Sequence, residues 1–364
     1  MTISQKKHRI IFIDLIRAFA VLQMVQGHTI NVVLAEEFRN LDFPFYAAWH
    51  FMRGTTAPIF LFTAGTVFTY LFRLVDKPFF QNPRLTKSVK RAGLLLVLGY
   101  LLRYPSWTIV DFSEVTKESW KIFLRVDILQ LIGFGLFLLL ALLYLSEKFF
   151  RNDYAIFGLT AIATFLVSPM INAINWINYF PEPVAAYFYS RTGSLFPVFP
   201  WVGYIISGAL LGSYLAKNPL AFKSANFSIW LATIGSAFIL SSVLGDMISN
   251  ALNIPVINSA ESTGLVFFRL GFVLVINALV SYIALKIDTI PKFIILVGRN
   301  TLLIYVVHLI ILYGSAWNPG VDQLFASSFN GLESLFAALV MILLMTIMVL
   351  VINLIKMKNK PLVT

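Results

Sequence analysis

Apolar residues dominate ten runs along the chain, and shorter polar segments separate these runs. Most of the runs approach or exceed the roughly 20 residues that a helix needs to cross the hydrocarbon core of a bilayer. In lipid the backbone must satisfy its own hydrogen bonds, so each run is predicted to be helical. The predicted segments cover residues 10–35, 47–72, 91–110, 126–146, 154–176, 196–216, 226–247, 264–285, 298–315 and 334–355. This pattern predicts an all-α, polytopic transmembrane bundle of about ten helices, in a single domain spanning residues 1–364.

Composition supports a surface that faces lipid more than water. Of the 364 residues, 59% are hydrophobic and only 12% are charged. A soluble domain carries about 25% charged residues, so the charge density here is too low to cover a water-facing surface of this size. The chain has no cysteine, which excludes disulfides, thiolate nucleophiles and zinc–thiolate sites.

The net charge of +11 could indicate a nucleic-acid partner, but the positions of the basic residues indicate membrane orientation instead. If the N-terminus is inside and the ten segments alternate, 18 of the 28 Lys and Arg residues fall on the inner side. Cytoplasmic loops carry such an excess, so both termini are predicted in the cytoplasm and the chain in the inner (cytoplasmic) membrane, with no nucleic-acid partner. The inner set consists of Lys6, Lys7, Arg9, Arg73, Lys77, Arg84, Lys87, Lys90, Arg91, Lys148, Arg151, Lys217, Lys223, Lys286, Lys292, Lys356, Lys358 and Lys360.

The first segment carries three ionisable residues, Asp14, Arg17 and His28, in an otherwise apolar run. Such groups cost a few kcal/mol each inside a membrane, so they commonly mark a functional interior. At about 100° per residue, the step from Arg17 to His28 closes three turns, and Asp14 lies about 60° from Arg17. The three residues therefore share one polar stripe, about 16 Å long between Arg17 and His28. A buried Asp–Arg pair with an isolated, hydrogen-bonded histidine is the alternative interpretation.

Other polar residues fall at two levels of the predicted bundle. On the ninth segment, Thr301, Tyr305 and His308 share one face by their spacing. A basic inner opening and a histidine-bearing outer cavity suit an enzyme with a phosphate-bearing donor, and equally a proton-coupled transporter. The inner level consists of Lys90, Arg91, Arg299 and Asn300, for which interfacial anchoring is the ordinary interpretation. The outer level consists of His28, His50, Arg53, Thr55, Thr56, Asp127, Gln130, Arg269 and His308.

At these residues the sequence resembles the transmembrane acyltransferases, which include the acyltransferase-3 and heparan-alpha-glucosaminide N-acetyltransferase families. Residues 14–20, with Arg17 and His28, resemble a first-helix motif of an acidic residue, an arginine and a histidine. The adjacent Lys90 and Arg91 resemble a basic pair at the start of the third helix in acyltransferase-3 proteins. Bacterial relatives of the glucosaminide acetyltransferases are similar at residues 53–65, 127–133, 196–204 and 298–308.

The resemblance implies an acyl-CoA-dependent O- or N-acyltransferase that moves an acyl group, most simply acetyl, from cytoplasmic acetyl-CoA. The implied acceptor is a sugar, a cell-envelope glycan or a lipid-linked precursor, and no metal is expected. A neutral histidine can serve as general base on the acceptor, while Asp14 and Arg17 hold the inner part of the donor channel. The residues implied to bind the phosphates of the donor are Lys90, Arg91, Arg299 and Asn300. The residues implied to bind the acceptor are Arg53, Asp127, Gln130, Arg269, Tyr305 and His308.

Several alternatives stay open at the level of sequence. The catalytic histidine is either His28 or His50, since some relatives use a histidine in the loop after the first helix. Transfer can be direct or can pass through an acyl-histidine. A proton-coupled transporter or flippase of an envelope precursor would use the same polar stripe, and the oligomeric state, including a homodimer, is open.

Reporter fusions test the predicted orientation. A fusion at Arg84 should report the cytoplasmic side and a fusion at Pro319 the opposite side, because the basic loops alternate with acidic or neutral ones. A fusion at Asn218 serves as the control and should match Arg84. The same side at Arg84 and Pro319 would contradict the alternating ten-helix arrangement.

Overall fold

The computed structural model describes residues 11–251, 262–287 and 289–358, and within them the protein is 79% helical without a β-strand. The predicted all-α fold is therefore confirmed. The helices of the first half are α1 (Ile11–Val33), α2 (Pro44–Arg73), α3 (Arg84–Leu101), α4 (Lys117–Leu124), α5 (Ile128–Leu145), α6 (Asp153–Ala173) and α7 (Glu182–Ala185). Those of the second half are α8 (Val198–Lys217), α9 (Ala225–Ala251), α10 (Thr263–Lys286), α11 (Lys292–Arg299), α12 (Thr301–Tyr313), α13 (Val321–Phe325) and α14 (Gly331–Lys358). Four basic residues of the inner set lie outside the described residues: Lys6, Lys7, Arg9 and Lys360.

Eight helical segments of the described chain are long and apolar enough to cross a membrane. They are α1, α2, the segment from α4 through α5, α6, α8, α9, α10 and α14. A ninth span forms if α11 and α12 cross together, and these two helices meet at an angle of 76°. Each of the ten predicted segments overlaps a helix, so the polytopic bundle is confirmed. The side of the membrane on which each loop lies stays a prediction.

Helix α3 differs from its prediction in position and in character. It starts at Arg84 and ends at Leu101, where residues 91–110 were predicted. The first half of α3 carries four basic residues, so it is amphipathic and is not among the eight spans. A search for apolar runs missed this half because the cations interrupt the run. A helix can nevertheless continue through charged positions when they lie along one face.

The chain divides into two compact units. The central unit contains residues 57–285, from the latter part of α2 through α10. The terminal unit contains residues 10–56 and 286–364, with α1, the start of α2 and α11 to α14. The assignment of residues 1–364 to one domain stays a prediction.

Within the central unit, glycines allow α2 and α8 to approach at backbone distance. A Cβ atom on Gly65 of α2 would overlap the carbonyl oxygen of Ile205, and one on Gly208 of α8 would overlap that of Phe62. Membrane helices have no hydrophobic drive toward each other, so close packing through small residues is a main source of their association. These glycines therefore fix the α2–α8 contact.

A buried ion pair joins other helices of the central unit. Arg73 at the end of α2 binds Asp153 at the start of α6 through two hydrogen bonds, of 2.6 and 2.9 Å. Ser146 also donates to Asp153, at 2.6 Å, and Ser213 of α8 donates to its second oxygen. The Asp153 carboxylate is 4% exposed, and both of its oxygens have two donors. Such complete pairing offsets the desolvation cost that a buried charge carries.

In the terminal unit, α1 packs against α11, α12 and α14. Gly298 near the end of α11 lies directly on the Asp14 carbonyl, where a Cβ atom would overlap the oxygen. At the other end of α1, the Arg39 side chain donates to the carbonyls of Leu34 and Asn31, at 2.7 and 3.0 Å. This cap satisfies carbonyls that a helix leaves without intrahelical partners.

The α2–α8 contact predicts that Gly208→Leu will be destabilising. Because its Cβ would overlap backbone that cannot rotate away, we expect a loss of about 1–3 kcal/mol, seen as a lower thermal midpoint in detergent. Gly245→Leu on α9 is the matched control, since a Cβ there has nothing within 4 Å. Equal thermal midpoints for the two variants would contradict the close contact.

Candidate active site

The terminal unit places the polar stripe of α1 beside the polar face of α12. The rings of His28 and His308 lie 5.3 Å apart between centroids, with their planes inclined by 55°. Tyr305 packs on His308 at 5.7 Å, and Tyr313 packs on His28 at 6.0 Å. Two residues predicted at the outer level from separate segments are thus in contact, within a cluster of four rings.

His308 has a defined hydrogen-bonding state. The residue is 0% exposed, and its ring Nδ1 lies 2.8 Å from the carbonyl oxygen of Ile304. A carbonyl only accepts hydrogen bonds, so Nδ1 donates, and in the neutral ring Nε2 carries the lone pair. This Nε2 is buried and has no hydrogen-bond partner among the residues that the structure describes. A buried acceptor without a donor costs about 1–3 kcal/mol, so a bound molecule that supplies one would relieve that cost.

The stripe touches α12 at a second point. The guanidinium of Arg17 donates to Thr301 Oγ1 at 3.4 Å, and Thr301 is the first residue of α12. Asn300 lies at the break between α11 and α12, where its side-chain amide donates to the Leu296 carbonyl at 2.8 Å and caps α11. Arg299, beside it, is exposed. The break thus brings the first turn of α12 to Arg17 and a later turn to His28.

Arg53 of α2 contacts α1 within one turn of His28. Its guanidinium donates to the side chain of Asn31 and lies 5.6 Å from the centre of the Trp49 ring. Trp49 is itself held by α1, because its indole N–H donates to Gln26 at 2.9 Å. Asn31, Trp49 and Gln26 were not among the predicted site residues, and their signal was only their polarity within apolar runs.

His50, the alternative catalytic histidine, has different surroundings. It lies in the first turns of α2, is exposed, and its ring is 5.9 Å from the ring of Tyr46. In the part of the chain that the structure describes, the histidine that packs on His308 is His28.

In the central unit, Asp127 and Gln130 begin α5. Asp127 caps the helix, forms an ion pair with Arg103, and exchanges hydrogen bonds with Gln130 in a capping box. Gln130 is 0% exposed, and within the described ranges its side-chain Nε2 has no hydrogen-bond acceptor. The spacing Asp-x-x-Gln is itself a capping pattern, so sequence could have shown this structural role.

The remaining predicted residues of the central unit lie on two other helices, α10 and α3. Arg269 of α10 has its guanidinium 5.6 Å from the centre of the Trp201 ring on α8. Lys90 and Arg91 both lie on the basic half of α3, and both are exposed. No group of three or more His, Asp or Glu side chains in residues 11–251, 262–287 and 289–358 could hold a metal ion.

Comparison with known proteins identifies the family. The family described as "Heparan-alpha-glucosaminide N-acetyltransferase, catalytic" matches residues 9–244. This range covers well over half of the chain and includes α1 with its polar stripe, Lys90 and Arg91, and the start of α5. A search of the curated proteins found no match. The resemblance seen in the sequence is confirmed, and the chain belongs to the heparan-alpha-glucosaminide N-acetyltransferase family of multi-pass membrane acetyltransferases.

Proposed function

We propose that this acetyltransferase takes its acetyl group from cytoplasmic acetyl-CoA and delivers it to a hydroxyl or amino group of a sugar. The acceptor sugar belongs to a cell-envelope glycan or its lipid-linked precursor, and the protein acts in the cytoplasmic membrane. The contact between His28 and His308 is the observation that carries this proposal, because it places two imidazoles on one polar stripe of an apolar bundle. Family membership supports the acetyl chemistry.

His28 is the proposed general base. It is half-buried, whereas His308 is fully buried behind it, so His28 is the ring that an acceptor can reach. A sugar hydroxyl is a poor nucleophile at neutral pH, and a neutral imidazole can remove its proton during attack. The acceptor oxygen then bonds to the thioester carbonyl carbon, the carbon–sulfur bond breaks, and His28 returns the proton to the departing thiolate. A sugar amine that loses its proton to His28 reacts in the same way.

His308 has a supporting part in this proposal. Its Nδ1 is committed to the Ile304 carbonyl, so its Nε2 can accept a hydrogen bond from the acceptor or from the N–H of His28. Either bond would orient the reacting groups and satisfy the buried lone pair. An acyl-histidine route uses the same two rings and would show a burst of CoA release before turnover.

Cations are proposed to bind the donor, as the resemblance to the acyltransferases implies. The guanidinium of Arg17 on α1 reaches the first residue of α12, and Arg299 is exposed at the neighbouring break. The terminal unit therefore offers two guanidiniums to a diphosphate. Lys90 and Arg91 offer two exposed cations on α3 of the central unit. Asp14 and Arg17 are proposed to line the inner part of the donor channel, and Asn300 to shape the break.

The proposed acceptor-binding residues combine donors of hydrogen bonds with aromatic rings. Arg53 and Tyr305 lie near the histidine pair in the terminal unit. In the central unit, the buried side-chain Nε2 of Gln130 has no acceptor among the described residues, and Asp127 forms the capping box with Gln130. Arg269 lies over the ring of Trp201. Planar polar groups and rings of this kind suit sugar hydroxyls and sugar faces.

Removing both cations of α3 tests donor binding. In the double variant Lys90→Ala, Arg91→Ala, the affinity for acetyl-CoA should fall by about tenfold or more, since two charge-assisted contacts to phosphate are lost. The measurement is the thermal stabilisation of purified protein by titrated acetyl-CoA. The control is the double variant Arg84→Ala, Lys87→Ala on the same helix, which should keep the affinity of the unaltered protein. An unchanged affinity for acetyl-CoA in the Lys90, Arg91 variant would favour the ordinary interpretation, in which both residues only anchor the protein at the membrane interface.

Removing His28 tests the function itself. His28→Ala should lower acetyl transfer by a factor of about 10² to 10⁴ while acetyl-CoA still stabilises the protein. Transfer is measured as acetyl label moved from acetyl-CoA to envelope material, with the acceptor found by comparing glycan and lipid masses from cells with and without the protein.

His50→Ala is the matched control and should keep near-normal transfer, because His50 is exposed and the ring that packs on His308 is that of His28. If His50→Ala were inactive and His28→Ala active, the general base would be His50. Absence of transfer in the unaltered protein, together with pH-dependent flux of an envelope precursor in vesicles, would favour a transporter.

A further inference from the structure

The central unit contains an apolar cavity that the acetyl-transfer chemistry does not use. Its volume is about 730 Å³, within the range of sites for small molecules. It lies between α6, α8, α9 and α10, and none of its lining residues is an acid, a histidine or a cation. The residues that form most of its apolar wall include Phe165, Leu211, Trp230, Ile234, Phe238 and Leu270.

The cavity has the depth of one leaflet. On α9, lining residues extend from Asn226 to Phe238, twelve residues and so about 18 Å along the axis. The hydrocarbon core is about 30 Å thick, which gives about 15 Å per leaflet. A single extended chain from one leaflet therefore matches this depth.

One side of the cavity is open to the outer surface of α9. Trp230 and Ile234 line it, and they are 66% and 45% exposed. Since α9 is a membrane span, these side chains meet lipid hydrocarbon and not water. A lipid chain can enter from that side without leaving an apolar environment.

Apart from Ser207 in the middle of α8, the polar lining groups gather at one end. Tyr154 at the start of α6, Tyr214 near the end of α8 and Asn226 at the start of α9 line the same end of the cavity. The ammonium of Lys217 lies 4.5 Å from the centre of the Tyr154 ring, at this end. The neighbouring Asp153 does not neutralise it, because that carboxylate is already bound by Arg73 and two serines.

We propose that this cavity binds one acyl chain of an anionic membrane phospholipid, with the lipid phosphate held by Lys217. The apolar wall takes the chain, the tyrosines lie at the level of the polar headgroups, and the exposed cation selects a negatively charged head. On the orientation predicted from the loop charges, Lys217 belongs to the inner set, so the lipid comes from the cytoplasmic leaflet. This site is independent of the proposed acetyl transfer, because none of its residues belongs to the donor, base or acceptor set.

Lipid binding to purified full-length protein tests the proposal. The probes are phosphatidylglycerol and phosphatidylcholine with identical chains, added to delipidated protein in detergent, and the measurement is bound lipid per protein by native mass spectrometry. Phosphatidylglycerol should bind about fivefold more tightly, because its head has a net negative charge that one lysine can neutralise, whereas the choline ammonium of phosphatidylcholine already offsets its phosphate.

Two variants with matched controls locate the site. Gly158→Phe should fill the cavity and abolish binding of both lipids, since Gly158 lines it and a Cβ there has nothing within 4 Å. Gly245→Phe, on α9 outside the cavity with the same open space, should leave binding unchanged. Lys217→Gln should remove the preference for phosphatidylglycerol, whereas Lys77→Gln, an exposed cation away from the cavity, should keep it.

Three outcomes would overturn the proposal. The first is unchanged binding in Gly158→Phe with a thermal midpoint equal to that of Gly245→Phe. The second is equal binding of both lipids in the unaltered protein. The third is displacement of phosphatidylglycerol by an isoprenoid phosphate that binds more tightly, which would assign the cavity to a lipid-linked acceptor.

Discussion

An apolar helix that carries ionisable groups must have partners for them on its neighbours, and this constraint organises the terminal unit. Arg17 and His28 lie on one face of α1, and α12 meets both of them, with Thr301 at one point and His308 at the other. The 76° bend between α11 and α12 starts α12 at Arg17, and the closeness of Gly298 to the Asp14 carbonyl fixes the approach. The cost of burying polar groups in hydrocarbon thus determines which helices contact α1.

The buried polar clusters around Asp153 and around His308 differ in how completely their hydrogen bonds are satisfied. Every oxygen of the Asp153 carboxylate has two donors, so that cluster has no capacity left for a ligand. His308 uses one ring nitrogen within its own helix and leaves the other without a partner among the described residues. A complete network is typical of a structural role, and an incomplete one in a family of acetyltransferases is where a substrate can complete it.

Sequence predicted the elements well because lipid makes the rule simple: a run of about 20 apolar residues is a helix. It predicted the α1 stripe from angular spacing alone, and the structure shows His28 beside His308. It placed α3 too late, because Arg84 and Lys87 interrupt the apolar run without interrupting the helix. The break at Asn300 was missed because the predicted segment began at residue 298, so it contained α12 and left out nearly all of α11. The Arg73–Asp153 pair was missed because its members lie at the ends of helices 80 residues apart, and pairing at that separation depends on packing.

The pairing of His28 with His308 also bears on how far family membership explains the site. The family match ends at residue 244, so it includes His28 and leaves out α12 with His308. His28, the proposed base, therefore belongs to the part of the chain that the family match covers. His308, whose ring packs on His28, belongs to the part that the match does not cover. If the proton is removed by His28 alone, a substitution of His308 should change the orientation of the acceptor more than the chemistry, so KM would rise more than kcat would fall. A loss confined to kcat would instead make the two histidines one catalytic unit.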